Sequence, residues 1–380
     1  MKIALICDWF HPRIGGIEIH LQGLAQSLLA AGHQPEIITA TPGSDRDYGF
    51  PVHRLDVPIK TRFGFIASWD AFRQVEFLLR EGSFDVVHCH GSILSPLAYG
   101  SLSVARRERI PAVVTCHSVL HYYYGLFFLL DCLVGWSKWP VLFASVSPSA
   151  AGIMSRAGRM DRVYILPNAV QESRWRTCEP RLPRPAGEVT LISVMRLSIR
   201  KRAHVLIKMM PELIRQTGSR GVRLIIVGDG PQRSVLKRMI KRLGLQDVVE
   251  LPGILSHEEI AEAFARADVF VLPTRQEAFG LAALEARVSG LPVIGMRMSG
   301  LQHFIEPGTE GLLAPGDHEL FRDVLCLVKN KDLRERIARH NRTQPTIWTW
   351  QYSQSCHLDL YQKAVEIFGG NPTRDTRRCG

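Results

Sequence analysis

The sequence predicts an α/β protein built from two Rossmann-like β/α/β domains with a cleft between them. Short apolar runs rich in β-branched residues alternate with helical stretches, which is the pattern of a parallel sheet covered by helices. The alternation stops in the proline- and arginine-rich segment 171–187, which is typical of a linker, and then begins again. A chain of 380 residues is also long enough for two ordinary domains. We therefore expect domains at 1–175 and 176–345.

The first domain is predicted to begin with a buried strand, KIALIC at 2–7, followed by a helix at 17–33 that ends at Gly32. The further strands predicted in this domain are PEIITA (35–40), DVVHCH (85–90), AVVTCH (112–117), FASVSP (143–148) and VYILPN (163–168). Because the carboxyl ends of parallel strands meet at one edge of the sheet, we expect ligands to bind at that edge.

The second domain repeats the pattern with five predicted strands and helices between them. The strands are VTLISV (189–194), RLIIVG (223–228), VVELPG (248–253), VFVLPT (269–274) and PVIGMR (292–297), and the helices include 204–216, 231–243 and 257–266. We expect a long C-terminal helix at 346–367 that packs back toward the first domain. The basic, glycine-containing stretch 368–380 is predicted to be a mobile tail.

The charge of the chain is concentrated in its second part. Residues 1–175 contain 16 Lys and Arg against 14 Asp and Glu, a net +2, whereas the rest contains 31 against 22, a net +9. This asymmetry suits an anionic partner, namely nucleic acid, lipid headgroups or a phosphorylated ligand. A basic solvated surface with no such partner is an equal alternative. Only charge favours nucleic acid, so we expect none.

Cysteine usage and apolar runs indicate a cytoplasmic protein. None of the eight cysteines forms a C-x-x-C pair, and several lie inside apolar runs, as small buried residues do in a reducing compartment. The apolar run that ends at Asp8 is shorter than the roughly 7–15 residues of a signal peptide. No stretch reaches the roughly 18 apolar residues of a membrane span.

Small and imidazole side chains mark the strand ends of the first domain. Gly15 and Gly16 follow the first strand and let backbone amides approach a phosphate or a sugar, although a plain turn is the simpler interpretation. His88 and His90 share one face of a strand, so two ligands of a metal site are conceivable, but no third ligand follows at a convincing spacing. A core histidine is the default for His88, and we expect no metal. His117 is better placed to contact a substrate hydroxyl.

The second domain has a basic loop after its first strand. Arg196 and Lys201 combine a forked donor with a point charge, which suits a diphosphate, and a solvated basic loop is the alternative. Gly228 and Gly253 end later strands at the edge where a ligand is expected.

The stretch PTRQEAFGLAALEA at 273–286 turns from a strand into a helix and carries two acids eight residues apart. The amides of Ala278, Phe279, Gly280 and Leu281 lie where a helix end binds a phosphate. Glu277 then faces a sugar hydroxyl, and Glu285 can accept both hydroxyls of a ribose.

These motifs, in this order, resemble the family 4 retaining glycosyltransferases with the GT-B fold. The family's E-x7-E motif matches Glu277 and Glu285, and its R-x4-K pair matches Arg196 and Lys201. The resemblance covers residues 1–367. The segment GGIEIH at 15–20 is most similar to lipid-directed members, which include the catalytic subunit of the GPI N-acetylglucosaminyltransferase and the phosphatidylinositol mannosyltransferases.

The resemblance implies a nucleotide-diphosphate sugar as donor and neither a metal nor another cofactor. It implies that Arg196 and Lys201 bind the diphosphate, that Glu285 binds the ribose, and that Glu277 and His117 face the donor sugar. The other residues implied in donor binding are Gly15, Gly16, Gly228, Gly253, Ala278, Phe279, Gly280 and Leu281.

Two departures from the family pattern put donor geometry in question. Arg202 stands where the family has glycine after the motif lysine. His303 stands where it has the glutamate of a G-G-x-P-E segment.

The resemblance implies transfer of a hexosyl or N-acetylhexosaminyl group, from UDP-GlcNAc or another UDP-sugar first and GDP-mannose next, to a lipid-linked or glycan acceptor. Aromatic and apolar residues at 119–143, with the basic residues Arg106, Arg107 and Arg109 nearby, suit an anionic membrane surface on the cytoplasmic face. A buried helix pair is the alternative for this stretch. A catalytically silent protein of the same fold that only binds a nucleotide or a partner is the competing function, and an epimerase fits the motifs poorly.

Overall fold

The computed structural model describes residues 1–13, 15–43, 46–56, 69–92, 95–118, 124–157, 160, 162–176, 188–218 and 221–369. The chain divides into two compact units. The first unit comprises Met1–Ala169 and Trp348–Gly380, and the second comprises Val170–Ile347. The sequence predicts boundaries after residues 175 and 345, whereas the structure has them after Ala169 and Ile347.

The first unit is built on a seven-stranded sheet in the order β3-β2-β1-β4-β5-β6-β7, with parallel pairing throughout. The strands are β1 (Lys2–Cys7), β2 (Gln34–Thr39), β3 (Val52–Arg54), β4 (Val86–Gly91), β5 (Ala112–Cys116), β6 (Val141–Ser145) and β7 (Tyr164–Ile165). The central strands β4 and β5 are buried over their whole length and β1 is buried from Ile3 onward, as expected of a parallel sheet covered on both faces. The predicted parallel α/β arrangement is confirmed.

Helices cover both faces of this sheet. The covering helices include α1 (Gly16–Ala30), α2 (Trp69–Gly82), α3 (Pro96–Arg107) and α5 (Pro148–Ala157), whereas α4 (Tyr124–Val134) packs on α5. Successive residues of β1 serve opposite faces, because side chains alternate along a strand. Leu5 packs in the cluster that includes Leu24 of α1, whereas Ile6 packs in the cluster that includes Val75 of α2 and Leu102 of α3.

The second unit contains a six-stranded parallel sheet in the order β10-β9-β8-β11-β12-β13. The strands are β8 (Val189–Val194), β9 (Val222–Val227), β10 (Val249–Gly253), β11 (Val269–Leu272), β12 (Val293–Met296) and β13 (Gly311–Ala314). The helices are α6 (Glu172–Trp175), α7 (Ala203–Thr217), α8 (Arg233–Arg242), α9 (His257–Arg266), α10 (Leu281–Val288), α11 (Asp317–Lys329) and α12 (Lys331–Thr343). Strand order reverses next to β8, which places the loop after β8 at the edge where α/β folds bind ligands.

The C-terminal helix α13 (Trp350–Gly369) belongs to the first unit. Its Tyr361 is fully buried in the core cluster that contains α1, and the Ser353 hydroxyl donates to the Pro167 carbonyl oxygen at 2.7 Å. These contacts follow from the apolar face of the helix, which the sequence predicts at 346–367.

Three local features differ from the sequence expectation. The edge strands β3 and β13 are not predicted, because one is only three residues long and contains His53 and Arg54, and the other, GLLA, has no β-branched residue. The predicted linker begins inside the second unit, where Trp175 is buried against Phe264. The rest of that linker, 177–187, and the tail from 370 lie outside the described residues.

Candidate active site

The loop that contains Arg196 and Lys201 follows β8, the strand at which the order of the second sheet reverses. Gly228, at the end of β9, has φ of +127°, and a Cβ there would lie 2.0 Å from the carbonyl oxygen of Met195. Its amide donates to the carbonyl oxygen of Gly253 at 2.7 Å. Gly228 therefore lets two strand-end turns touch and positions the basic loop. Ligand contacts of Gly228 and Gly253 stay predictions.

Lys201 and Glu277 form an ion pair across this edge of the sheet, with the Lys201 Nζ 2.6 Å from Glu277 Oε2. The two side chains keep 32% and 15% exposure, so a ligand can reach both. Arg196 is exposed, and no ion pair to it occurs within the described parts of the chain. Such a pair contributes little stability by itself, so its main effect is to hold each side chain in place.

The turn from β11 into α10 is held by close backbone contacts. Gly280 has φ of +98°, in the left-handed region that favours glycine, and α10 begins at Leu281. The Gly300 amide donates to the Glu277 carbonyl oxygen at 2.8 Å, and a Cβ on Gly300 would lie 2.3 Å from the carbonyl oxygen of Ala278. The segment 299–303, in which His303 replaces the family's glutamate, thus supports the turn through Gly300.

The side chains of Ala278 and Phe279 point into the core. Phe279 is 2% exposed, and its ring centroid lies 5.3 Å from that of Phe304. Any contact of these two residues with a ligand must therefore come from their backbone amides. The N-terminal end of α10 adds a partial positive charge at the same place.

Glu285 lies within α10 and is almost fully buried. Burial raises the pKa of its carboxyl group to about 8, and the positive charge of Arg174 on α6 opposes this rise. No hydrogen bond from the described part of the chain reaches the carboxyl oxygens. A buried acid without a protein partner is costly, and a ligand hydroxyl is a suitable partner for it.

Arg202 stands where the family has glycine, and its contacts compensate for a backbone conformation that favours glycine. Its φ is +62°, a conformation in which glycine is more stable than other residues. The guanidinium compensates by donating to the Pro273 carbonyl oxygen at 2.8 Å and by pairing with Asp317. These contacts connect the Lys201 loop to the strand end that leads to Glu277.

In the first unit, the two glycines before α1 have different surroundings. A Cβ on Gly15 would lie 2.5 Å from Glu18 Oε2, so Gly15 makes room for the buried Glu18, which pairs with Arg13 at 3.3 Å. A Cβ on Gly16 would meet nothing within 4 Å. Gly16 therefore leaves space beside the amide end of α1, as the predicted approach of a phosphate or an acceptor requires.

His117 follows β5 and is half-buried, with its amide bound to the carbonyl oxygen of Gly91 at 2.9 Å. Its Nε2 lies 3.0 Å from the Nδ1 of His90. Burial lowers the pKa of His117 to about 3, so the ring is neutral at physiological pH. A neutral imidazole can donate one hydrogen bond and accept another, which suits contact with a sugar hydroxyl.

His88 is a core histidine, the default predicted for it. Its Nδ1 lies 2.7 Å from the Tyr361 hydroxyl, and its Nε2 lies 2.7 Å from the Thr115 hydroxyl. His20 of α1 is the residue that the sequence interpretation missed, because it lies far from His90 in the chain. Its position at the end of the GGIEIH segment was the available signal.

Two family models match the chain. The family model described as "Glycosyltransferase Family 4" matches residues 14–174, and the model described as "Glycosyl transferases group 1" matches residues 177–344. The two models therefore match most of each unit, and α13 lies outside both.

Curated relatives match nearly the whole chain. The chain is 26% identical over 392 residues to a phosphatidylinositol N-acetylglucosaminyltransferase subunit of Arabidopsis thaliana, covering 96% of this chain and 83% of the relative. The human subunit of the same name is 26% identical, and the match covers 92% of this chain and 73% of that relative.

Among solved structures, the Anabaena protein HepE in complex with UDP and glucose has the same fold. The TM-score is 0.76 at 19% identity, and the match covers 95% of this chain and 99% of that chain. Among the residues that the structure describes, no helix is both long enough and apolar enough to cross a membrane.

Proposed function

The chain belongs to glycosyltransferase family 4, and from this premise we propose that it transfers a sugar from a nucleotide-diphosphate sugar to a lipid-linked or glycan acceptor, retaining the anomeric configuration. One observation carries the proposal. The Lys201–Glu277 ion pair lies beside the N-terminal end of α10, and the buried Glu285 follows within the same helix. This set offers a cation, backbone amides and an unpartnered carboxyl group to one ligand.

The donor binds along this set according to its chemistry. The diphosphate accepts hydrogen bonds from the amide end of α10 and from the side chains of Arg196 and Lys201. The ribose donates its two hydroxyls to Glu285. Lys201 then exchanges part of its contact with Glu277 for the phosphate, which releases Glu277 to bind a hydroxyl of the donor sugar.

Transfer breaks the bond between the sugar's anomeric carbon and the diphosphate oxygen, and the electron pair leaves with the diphosphate. The acceptor oxygen forms the new bond on the same face, and a leaving phosphate oxygen takes its proton. Arg196 and Lys201 stabilise the charge that grows on the diphosphate, so the step needs no metal ion. His117 orients the sugar near the reacting carbon.

The donor is a UDP-sugar, with UDP-GlcNAc favoured over other hexosyl donors and GDP-mannose next. Two findings support this order. The curated relatives are named phosphatidylinositol N-acetylglucosaminyltransferase, and HepE, which has the same fold, is in complex with UDP and glucose. The same relatives favour a lipid-linked acceptor.

We place the acceptor at the cytoplasmic face of a membrane that carries anionic lipid. Among the described residues of α4, Leu129 and Leu133 are 56% and 74% exposed, which favours the surface alternative over the buried one. Trp69 at the start of α2 is exposed as well. The guanidinium of Arg106 stacks on Trp139 at 5.2 Å. Apolar and basic groups side by side suit a bilayer interface. Residues 119–123 of the predicted membrane stretch lie outside the described residues.

Transfer is tested by measuring nucleotide release from a panel of UDP- and GDP-sugars, with and without vesicles that contain phosphatidylinositol. We expect one donor to turn over and the vesicles to accelerate it. The competing function is a silent nucleotide-binding protein. If the wild type and Lys201→Ala release nucleotide equally slowly with every donor while the wild type still binds one, the silent function is correct and the transferase proposal fails.

Membrane contact is tested by co-sedimentation with anionic vesicles at low salt. Leu133→Glu is expected to reduce the bound fraction severalfold, because a charge at the apolar face of α4 opposes insertion. Ile254→Glu, at a residue that is 67% exposed in the second unit, is the matched control and should bind as the wild type does. Equal binding of all three proteins would contradict this surface.

A further inference from the structure

The first unit contains a cluster of three histidines. His20 of α1, His90 of β4 and His117 after β5 meet with ring centroids 5.1, 5.3 and 5.9 Å apart. One ring nitrogen from each of the three lies within 4.8 Å of the others. His20 and His90 are fully buried, and His117 is half-buried.

The cluster contains buried nitrogens that the protein leaves without partners. Both ring nitrogens of His20 and the Nε2 of His90 have no hydrogen-bond partner among the described residues. Buried polar atoms in proteins are almost always hydrogen-bonded, so three such atoms in one cluster require a reason. The neighbouring His88 provides the contrast, since both of its nitrogens are satisfied by hydroxyl groups.

We propose that His20, His90 and His117 form a binding site for a transition-metal ion of the zinc class. An imidazole nitrogen lies about 2.0–2.1 Å from Zn²⁺, so two such ligands on a tetrahedral ion have nitrogens about 3.3 Å apart and ring centroids about 5 Å apart. The three centroid separations of 5.1, 5.3 and 5.9 Å are close to this expected centroid separation, and one nitrogen of each ring lies within 4.8 Å of the others.

The ligand chemistry selects the kind of ion. Three imidazoles without a carboxylate suit Zn²⁺, Cu²⁺ or Ni²⁺ rather than Mg²⁺ or Mn²⁺, which prefer oxygen ligands. A neutral imidazole keeps on one ring nitrogen the lone pair that coordination needs. Three protein ligands leave one position of a tetrahedral ion for water.

The site has a functional consequence that rests on the proposed function. His117 is the residue that we place against the donor sugar, and an imidazole that coordinates a metal is held in one orientation with one nitrogen occupied by the ion. Bound Zn²⁺ is therefore expected to inhibit transfer, although transfer itself uses no metal.

Equilibrium dialysis of the full chain against buffered free Zn²⁺, followed by elemental analysis, tests the site without reference to activity. We expect about one Zn²⁺ per chain for the wild type. His20→Gln and His117→Gln should weaken binding at least about tenfold, because each removes one of three ligands. His357→Gln is the matched control, since His357 lies beside His20 but outside the three-nitrogen group, and it should retain the ion.

Two measurements keep the result clear if a variant folds poorly. Co²⁺ added to the wild type should produce the intense visible absorption of tetrahedral coordination, and Cys132→Ser should leave it unchanged, which excludes the exposed cysteine as a ligand. The proposal would be overturned if the wild type bound no Zn²⁺. It would also be overturned if the folded His20→Gln and His117→Gln variants bound Zn²⁺ with the affinity of the wild type. A wild type that binds Zn²⁺ but transfers no sugar would contradict only the proposed function.

Discussion

The two polar clusters of this protein differ in charge, burial and origin. The Lys201–Glu277 pair of the second unit is charged, partly exposed and formed at the ends of two strands. The histidine cluster of the first unit is neutral, mostly buried and assembled from α1, β4 and the end of β5. The Lys201–Glu277 pair is suited to bind an anion that arrives from solvent. The histidine cluster is suited to bind groups through lone pairs and N–H donors. In the proposed function, the charged pair stabilises the leaving diphosphate and His117 orients the sugar, so the two clusters have different tasks.

The largest expected effect is the change in transfer rate when Lys201 of the second unit is replaced. Lys201→Ala should lower the transfer rate about a hundredfold, because a stabiliser of the leaving diphosphate acts mainly in the transition state. Steady-state kinetics with the donor found in the panel measures the change. Lys208→Ala, an exposed lysine on α7, is the control and should keep the wild-type rate. A loss below threefold for Lys201→Ala would remove the charged pair from the mechanism.

The next effect concerns pH, through the buried acid of the second unit. Since the pKa of Glu285 is raised to about 8, the free protein holds a proton there at neutral pH. A ribose that donates two hydroxyls needs the carboxylate, so nucleotide affinity should rise with pH up to about 8, by at most about tenfold per unit, and then level off. Calorimetry between pH 7 and 9 measures this rise.

Glu285→Gln and Glu277→Gln separate the two acids. Glu285→Gln should weaken nucleotide binding about tenfold at pH 8 and flatten the pH profile, because the amide does not titrate. Glu277→Gln should leave the affinity nearly unchanged and slow transfer instead. Equal loss of affinity in both variants would disprove this division, and a profile that stays sloped in Glu285→Gln would assign the titration to the nucleotide itself.

A smaller effect is expected from the buried contacts of the first unit. Tyr361→Phe removes the hydroxyl that bonds the Nδ1 of His88 and should lower the free energy of unfolding by about 1 kcal/mol. Urea denaturation measures the change. Tyr352→Phe on the same helix removes a hydroxyl that is bonded to the partly exposed Cys356, and because this side chain is 44% exposed the effect should be much smaller. Equal stability of both variants would mean that the Tyr361–His88 hydrogen bond does not contribute to stability.

The smallest effect concerns Arg202. Its positive φ lowers the stability of the folded protein, whereas its two contacts raise it. Arg202→Gly removes the strain together with the contacts to Pro273 and Asp317, so the stability should change by less than about 0.5 kcal/mol. Arg202→Ala loses the contacts and keeps the strain, so it should be less stable than Arg202→Gly by about 1 kcal/mol. Thermal denaturation distinguishes the two, and equal values would show that the backbone is unstrained.

Local sequence patterns predicted the elements with the strongest periodicity. The strands KIALIC and VTLISV, the parallel arrangement and the membership of glycosyltransferase family 4 all followed from patterns a few residues long. The edge strands β3 and β13 and the helix α6 did not, because such short elements form only where neighbouring strands or a core supply their contacts.

For the candidate site, the sequence by itself determined the residues that a linear spacing can identify: Arg196, Lys201, Glu277 and Glu285 lie at fixed offsets from strand ends. Tertiary structure alone decided three further points. It paired Lys201 with Glu277 rather than leaving each in solvent, it raised the pKa of Glu285 by burying it, and it brought His20 to His90 and His117. The physical reason is that charge and spacing belong to the chain, whereas burial and the meeting of distant side chains depend on how helices pack on the sheet.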